Sequence, residues 1–211
     1  MIRALGVVRD AATQIGNAVE TAVSALQQGR VEHEPSFTDR MLGSIEQAMS
    51  DYQTKGVAWS AKTLTDRGRN AQESRHGADL AGVLSVDLPD FKVEKGFLAQ
   101  CKLIEPGDRM RPSEFDRMKK QCEKMLERTP DSFIFLYSRS GVVIVPAVSV
   151  VSSIPRNPHD FYSRSVPRFY EEHFESFIGD PRLYAPTPAM LEDLQRDLDT
   201  RRVLFLRARS E

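Results

Sequence analysis

Two short stretches decide how the fold is interpreted: Gly77-Ala78-Asp79 and Gln100-Cys101-Lys102. The first precedes the apolar run Leu80–Leu88 and the second lies within the apolar run Phe97–Ile104, so both are predicted to lie on or beside β-strands. On a strand, residues 100 and 102 point to one face and Cys101 points to the other. The pattern therefore predicts an acid, an amide and an amine converging at one edge of a sheet.

These three side chains suit metal-assisted hydrolysis of a phosphodiester bond. Carboxylate and amide oxygens are ligands that Mg²⁺ accepts, and a bound Mg²⁺ activates water. The lysine amine can orient that water or stabilise negative charge on the phosphate. An amide and an ammonium are costly to bury in an apolar strand without partners, so Gln100 and Lys102 indicate a site rather than core packing. We therefore predict Asp79, Gln100 and Lys102 as catalytic residues.

The arrangement of Glu73, Gly77-Ala78-Asp79 and Gln100-Cys101-Lys102 resembles the PD-(D/E)XK, or restriction-endonuclease-like, nuclease superfamily, in its variant with glutamine in place of the central acid. The resemblance extends over residues 31–151. It implies a mixed central β-sheet flanked by helices and a Mg²⁺-dependent endonuclease activity, with Mn²⁺ as a substitute. It also implies that Asp79 is the central metal ligand and that Lys102 positions the attacking water.

The resemblance further implies a third acid that shares the metal; two glutamates are the leading candidates, and Glu46, in the middle of the following helix, is a third option. Glu34 lies just before the cap of the helix that precedes the core strands, where members of the superfamily commonly bring in a glutamate. Glu73 precedes Asp79 at a family-like spacing. A backbone carbonyl near Cys101 is a further candidate ligand. Gln100 departs from the usual pattern, because a neutral amide oxygen binds Mg²⁺ more weakly than a carboxylate.

A second family-like stretch comprises the helical segment Gln121–Leu126 and the β-rich segments Ser132–Ser138 and Val145–Ala147. It resembles uncharacterised bacterial nuclease-like proteins, several of which are found near defence systems or mobile elements. The resemblance implies a nucleic-acid substrate, with DNA favoured, and leaves open a homodimer or a partner protein from the same system. The alternative function is a catalytically inactive nuclease-fold module that binds nucleic acid or a protein.

Composition bounds the class of protein. A chain of 211 residues with 40% hydrophobic and 28% charged residues fits one soluble domain. No run approaches the ~20 apolar residues that a membrane-spanning helix needs, so we expect no membrane association. Cys101 and Cys122 form neither a disulfide framework nor a metal-binding spacing, which indicates reduced thiols in a cytoplasm. The net charge of −1 neither supports nor excludes binding of nucleic acid.

Hydrophobic periodicity predicts an α/β (α+β) fold in a single domain over residues 1–211. The predicted parts are an N-terminal helix over 1–30, a nuclease-like core over 31–151 and a C-terminal helical extension over 152–211 with a possible last strand. Ser36 is the predicted N-cap of the first core helix. The other predicted elements are a loop over 53–76, a connection over Pro89–Gly96, a helix capped by Ser113, β-rich runs over Ser132–Tyr137 and Val142–Val151, a helix over Arg168–Phe177, a helix capped by Thr187 and a strand over Val203–Leu206.

Overall fold

The computed structural model describes residues 2–65, 76–185 and 187–211. Within these ranges the chain forms a mixed sheet of eight strands with helices on both faces, which confirms the predicted α/β architecture. The helices are α1 (Ile2–Gln27), α2 (Glu34–Met49), α3 (Pro112–Arg128), α4 (Ala147–Val151), a 3₁₀-helix (Pro158–Asp160), α5 (Val166–Phe174) and α6 (Pro188–Leu198). The strands are β1 (Gln53–Thr54), β2 (Val57–Thr65), β3 (Leu80–Leu88), β4 (Phe91–Leu103), β5 (Ser132–Ser138), β6 (Gly141–Pro146), β7 (Arg164–Ser165) and β8 (Arg202–Ser210).

The sheet has the strand order β1-β2-β8-β3-β4-β5-β6-β7. β8 runs parallel to β3 and β4 runs parallel to β5, whereas the other neighbours are antiparallel. The residues Val203–Leu206 of β8 are all buried, as expected for a strand covered on both faces. The last strand therefore lies inside the sheet, so the core extends beyond residues 31–151 and the segment 152–211 is more than a helical extension.

The N-terminal helix is confirmed as α1, which packs against α2 and α5 on one face of the sheet. Its buried stripe includes Ala11, Ile15 and Val19. The chain leaves the helix through Gly29, whose φ of +67° is a conformation that glycine adopts without strain. None of the helices in the described ranges combines the length and the apolar character that crossing a membrane requires.

Aromatic rings fill the core between α1, α5 and the sheet. The Phe97 ring lies with its centroid 5.0 Å from that of Phe169 and 6.0 Å from that of Phe135. Phe97 also covers Gly82 on β3, where a Cβ atom would lie 2.2 Å from the Phe97 ring. Gly82 is therefore required because the ring occupies the space of its missing side chain. A second core on the opposite face packs α3, α4 and α6 around residues such as Leu98.

The predicted loop over residues 53–76 is wrong in its first part, which forms β1 and β2. Residues 66–75 lie outside the described ranges. In β2, Val57 and Trp59 are buried while Lys62 is exposed, so the strand has the alternation of a half-buried sheet. Its long partner is β8, near the other end of the chain, and local sequence does not reveal that pairing.

Several further boundaries differ from the sequence predictions. The helix predicted to be capped by Ser113 begins at Pro112, with Arg111 as its N-cap residue, and the helix predicted over Arg168–Phe177 is Val166–Phe174. β4 begins at Phe91, so the predicted connection over Pro89–Gly96 shortens to a two-residue turn. The predicted strand over Val142–Val151 ends at Pro146, which precedes α4. The helix α2 begins at Glu34 rather than after Ser36, and its N-cap residue forms no side-chain capping bond.

Lys95 on β4 is a buried cation that the sequence analysis does not single out. Only 2% of the residue is exposed, and its Nζ atom has no hydrogen-bond partner within the part of the chain that the structure describes. Burial lowers the pKa of Lys95 to about 8, although the charge of Asp131 acts in the opposite direction. Burial and the nearby Lys95 charge also lower the pKa of His173 to about 3. The protonated amine of Lys95 therefore destabilises the folded state at neutral pH.

We expect Lys95→Met to raise the free energy of unfolding at pH 7 by about 1–3 kcal/mol, because it removes a buried charge and keeps the apolar stem. The folded pKa of about 8 lies below the ordinary value of 10.5, so the unfolded chain binds the extra proton between those two pH values. Wild-type stability should therefore rise with pH from about 8 to 10.5, and the variant should lack that rise. Urea unfolding across this range, with the exposed Lys92→Met as control, is the measurement; identical slopes for wild type and Lys95→Met would contradict the prediction.

Candidate functional site

The candidate site lies where β4 continues past the start of its neighbour β3. The β3–β4 ladder begins with Leu80 opposite Ala99, and the Asp79 N–H adds one more bond by donating to the Ala99 carbonyl at 2.9 Å. β4 itself runs on to Leu103. Over this last stretch, the backbone N–H groups that face the β3 side have lost their strand partner. We call this end of the ladder, between Ala99 and Leu103, the strand fork.

Two carboxylates take the place of the missing strand at the strand fork. The N–H of Cys101 donates to Asp79 Oδ2 at 3.1 Å, and the N–H of Leu103 donates to Glu34 Oε2 at 3.2 Å. Buried backbone N–H groups need hydrogen-bond acceptors. These two bonds therefore hold both carboxylates at the end of β4, close to each other. The structure thus brings Asp79 and Glu34, from separate segments, to successive positions along β4.

The turn into Asp79 depends on Gly77. Its φ of +72° lies in the left-handed region, and a Cβ atom at this position would lie 2.5 Å from the backbone carbonyl oxygen of Gln121 on α3. The next residue, Ala78, is fully buried. Close packing against the backbone of α3 therefore directs the chain so that Asp79 enters the sheet at the strand fork.

Gln100 is 2% exposed, and its amide nitrogen donates to Asp79 Oδ2 and to the Cys101 carbonyl oxygen, the latter at 3.3 Å. The prediction that Gln100 and Asp79 lie together therefore holds geometrically. In this arrangement, however, the nitrogen of the amide faces Asp79, whereas the predicted metal ligand is the oxygen. An amide that gave its oxygen to an ion shared with Asp79 would have to turn over.

Lys102 lies on the same face of β4 as Gln100 and reaches toward the first residue of α2. Its Nζ atom is 3.9 Å from Glu34 Oε1, and the two side chains are 24% and 30% exposed. Both groups are therefore sheltered by the fold yet open to a ligand from solvent. Of the predicted residues, Asp79, Gln100, Lys102 and Glu34 come together at the strand fork.

The charges at the strand fork are incompletely balanced. Burial raises the pKa of Glu34, the Lys102 charge opposes that rise, and the nearby Asp79 carboxylate adds to it. A carboxylate pair in partly buried surroundings favours either a bound proton or a bound cation. The electrostatics at Glu34 are therefore those of a group that would gain from a metal ion.

Cys101 points away from this site into the core beneath α2. Its Sγ accepts a hydrogen bond from the Tyr137 hydroxyl at 2.9 Å, and burial raises the pKa of its thiol to about 12. The thiol is therefore held neutral and does not serve as a nucleophile or metal ligand. The predicted contribution of Cys101 is its backbone carbonyl, which accepts from the Gln100 amide.

The residues fit a hard divalent cation by donor type, with two carboxylates, one amide and one backbone carbonyl around the strand fork. Glu73, the other predicted acid, lies outside the described residues. Among the residues that are described, no group of three or more His, Cys, Asp and Glu side chains is arranged to hold a metal ion. Within the described ranges, the predicted acids that bond to the strand fork are Asp79 and Glu34.

A buried arginine beside the two acids is absent from the sequence predictions. Arg202, the first residue of β8, is 6% exposed. Its charge acts to lower the pKa of Glu34, and the charge of Asp79 acts to raise the pKa of Arg202. The available signal is a charged residue that opens a strongly apolar strand. A cavity of about 390 Å³ opens beyond the end of β4, with Leu103, Arg139 and the acids Glu32, Glu105 and Asp108 among its walls; Asp79, Gln100, Lys102 and Glu34 do not line it.

We expect Gly77→Ala to destabilise the fold by at least about 2 kcal/mol more than Gly107→Ala. Both glycines have positive φ, of +72° and +85°, so both substitutions carry the strain of about 1–2 kcal/mol for a left-handed residue. Only the Gly77 substitution also drives a methyl group into the Gln121 backbone, because nothing lies within 4 Å of a Cβ at Gly107. Urea unfolding of both variants tests this difference; equal losses would contradict the packing argument.

Comparison of the chain with models of protein families, with curated proteins and with solved structures finds no match.

Proposed function

We propose that this protein is a Mg²⁺-dependent nuclease that hydrolyses phosphodiester bonds of nucleic acid, with DNA the favoured substrate. The observation that carries the proposal is the convergence of Asp79, Gln100, Lys102 and Glu34 at the strand fork. The sequence pattern resembles that of restriction-endonuclease-like nucleases, and the arrangement of these four residues supports the same chemistry.

Asp79 and Glu34 would hold the Mg²⁺ ion, with oxygens of Gln100 and the Cys101 backbone as the neighbouring candidates. A bound Mg²⁺ supplies a water of lowered pKa and neutralises charge on the phosphate. The raised pKa of Glu34 supports this assignment, because partial burial with Asp79 nearby leaves negative charge that a cation would compensate. We also propose that Mn²⁺ can take the place of Mg²⁺.

The protein's own contribution to catalysis would come from Lys102 and Gln100. Lys102 carries a fixed positive charge beside Glu34 and remains partly accessible, so it can orient the attacking water and stabilise the charge of the pentavalent phosphate. In the orientation seen here, the Gln100 amide nitrogen holds the Asp79 carboxylate, and that contact would be exchanged for the metal if the amide turned its oxygen to the ion.

We infer a cytoplasmic location, because Cys101 and Cys122 are both buried free thiols. Burial raises the pKa of each thiol to about 12. Thiols of this kind suit a reducing compartment, where disulfides are rare.

The test is cleavage of plasmid, single-stranded DNA and RNA by the purified chain with Mg²⁺, Mn²⁺ or EDTA. We expect Asp79→Asn and Lys102→Met each to lower the metal-dependent rate by about 10²- to 10⁴-fold. The matched control is the Asp87–Lys92 ion pair, which joins the same two strands at 2.8 Å but lies at their far, exposed end. Asp87→Asn and Lys92→Met should retain the wild-type rate.

Two results would contradict the proposal. One is wild-type activity in Asp79→Asn, which would show that the cleavage comes from another source. The other is a wild-type chain that cleaves none of the three polymers with either metal. That result would favour the alternative, a nuclease-fold module that binds nucleic acid or a protein without hydrolysing it.

A further inference from the structure

We propose that Arg202 is a positioning residue of the strand fork: it holds the first turn of α2 in place, so that the Glu34 carboxylate stays on the Leu103 N–H and beside Lys102. The proposal deepens the proposed nuclease function and rests on it only for the metal ion. Arg202 comes from the last strand, so the C-terminal segment would complete a site whose other members lie in the first half of the chain.

The contacts of Arg202 span the first turn of α2. Its Nε atom donates to Asp39 Oδ1 at 2.6 Å, and one terminal nitrogen donates to the Pro35 carbonyl oxygen at 3.2 Å. Pro35 follows Glu34 directly, and Asp39 lies about one turn further along the helix. A planar guanidinium that bonds both points fixes the turn in position and in rotation, which a single contact cannot do.

The first turn of α2 has no side-chain cap, because its N-cap residue His33 forms no such bond. Pro35 suits this turn, since a proline in the first turn gives up an N–H that has no partner within the helix. Glu34 occupies the first helical position, so any movement of this turn moves its carboxylate. Arg202 supplies a side-chain contact from the neighbouring sheet at a helix start that has no cap of its own.

A second, buried contact holds the other side of the same turn. The Thr38 hydroxyl donates to the Glu34 carbonyl oxygen at 2.9 Å, and its oxygen also lies 3.3 Å from the Tyr137 hydroxyl oxygen. The Tyr137 hydroxyl in turn donates to Cys101 Sγ at 2.9 Å. These contacts link α2 to β4, the strand that carries Gln100 and Lys102. Because Arg202 links the same turn to β8, the turn is held between two strands of one sheet.

Arg202 is well placed for this role because it keeps its charge in a nearly buried position. Burial acts to lower the pKa of Arg202, but the hydrogen bond and charge of Asp39, with the charge of Asp79, raise it on balance. A charged guanidinium satisfied by α2 is a stronger and more directional anchor than a neutral contact. Register also fixes its place, because Arg202 pairs with Leu80, the residue after Asp79.

The test follows the position of Glu34 through the Leu103 N–H, which donates a hydrogen bond to the Glu34 carboxylate. Amide hydrogen exchange is measured by NMR on wild type, Arg202→Met, Glu34→Ala and a control, Arg164→Met. Arg164 is also a little-exposed arginine in an ion pair, with its Nε atom 2.6 Å from Glu172 Oε2, but it lies on β7 away from the strand fork. The control therefore measures the general cost of losing such an arginine.

We expect Leu103 exchange to accelerate about tenfold in Arg202→Met, approaching the rate in Glu34→Ala, and to stay near wild type in Arg164→Met. The Cys101 amide, which bonds Asp79, should keep its protection in Arg202→Met. Asp39→Ala is a second variant that removes one partner of Arg202. The Asp39 side chain is 53% exposed, and its removal should also accelerate Leu103 exchange. Unchanged Leu103 exchange in both site variants, or equal acceleration in Arg164→Met, would overturn the proposal.

Mn²⁺ affinity, measured by electron paramagnetic resonance on the same proteins, separates this proposal from the proposed function. We expect Arg202→Met to bind Mn²⁺ about 10- to 100-fold more weakly than wild type, with Arg164→Met unchanged. A wild type that binds no Mn²⁺ would overturn the metal-dependent function, and the Leu103 result would then still decide the role of Arg202. A wild type that binds Mn²⁺, with Arg202→Met binding it equally well, would overturn the positioning role for the metal site.

Discussion

The structure around the candidate site depends on one mismatch in strand length: β4 extends beyond the start of β3. Backbone donors that lose a strand partner inside a protein must find another acceptor. Here the acceptors are the carboxylates of Asp79 and Glu34, which bond the N–H groups of Cys101 and Leu103. The carboxylates of the candidate site therefore also satisfy the hydrogen-bond requirement of the β4 backbone.

The surrounding fold keeps this mismatch from closing. Gly77 turns against the backbone of Gln121 on α3, so β3 begins at Leu80 and does not extend along β4. On the other side, Glu34 lies in the first turn of α2, where Arg202 donates to the Pro35 carbonyl oxygen and Thr38 to the Glu34 carbonyl oxygen. The partly exposed side chains of Glu34 and Lys102 thus lie together where α2 meets the end of β4.

Local sequence was sufficient to predict one half of this site. Gln100 and Lys102 share a face because strand periodicity is two, and Asp79 was predicted at the entry to the neighbouring strand; both hold in the structure. Glu34 entered through family resemblance, and the structure places it 3.9 Å from Lys102. Neither strand periodicity nor the family resemblance predicts the orientation of the Gln100 amide, because that orientation depends on which neighbouring atoms donate and accept hydrogen bonds.

The misses share a physical cause. β2 alternates between buried and exposed residues, but few of its residues are strongly apolar. Its partner β8 lies near the other end of the chain. The same long-range pairing inserts β8 between β2 and β3 and brings Arg202 opposite Leu80. A prediction based on neighbours in sequence could assign Val203–Leu206 to a strand without revealing where in the sheet that strand lies.

The amino-acid sequence by itself determined the mixed α/β character, the N-terminal helix, the strand that follows Asp79, the strand that carries Gln100 and Lys102, and the common face of those two residues. These properties follow from periodicity and from glycine and proline positions, which act over a few residues. Only the tertiary structure decided the central place of β8, the strand fork and the meeting of Glu34 and Arg202 with the motif. Those depend on pairing and packing between segments far apart in the chain, where complementary shape and unsatisfied backbone groups select the partners.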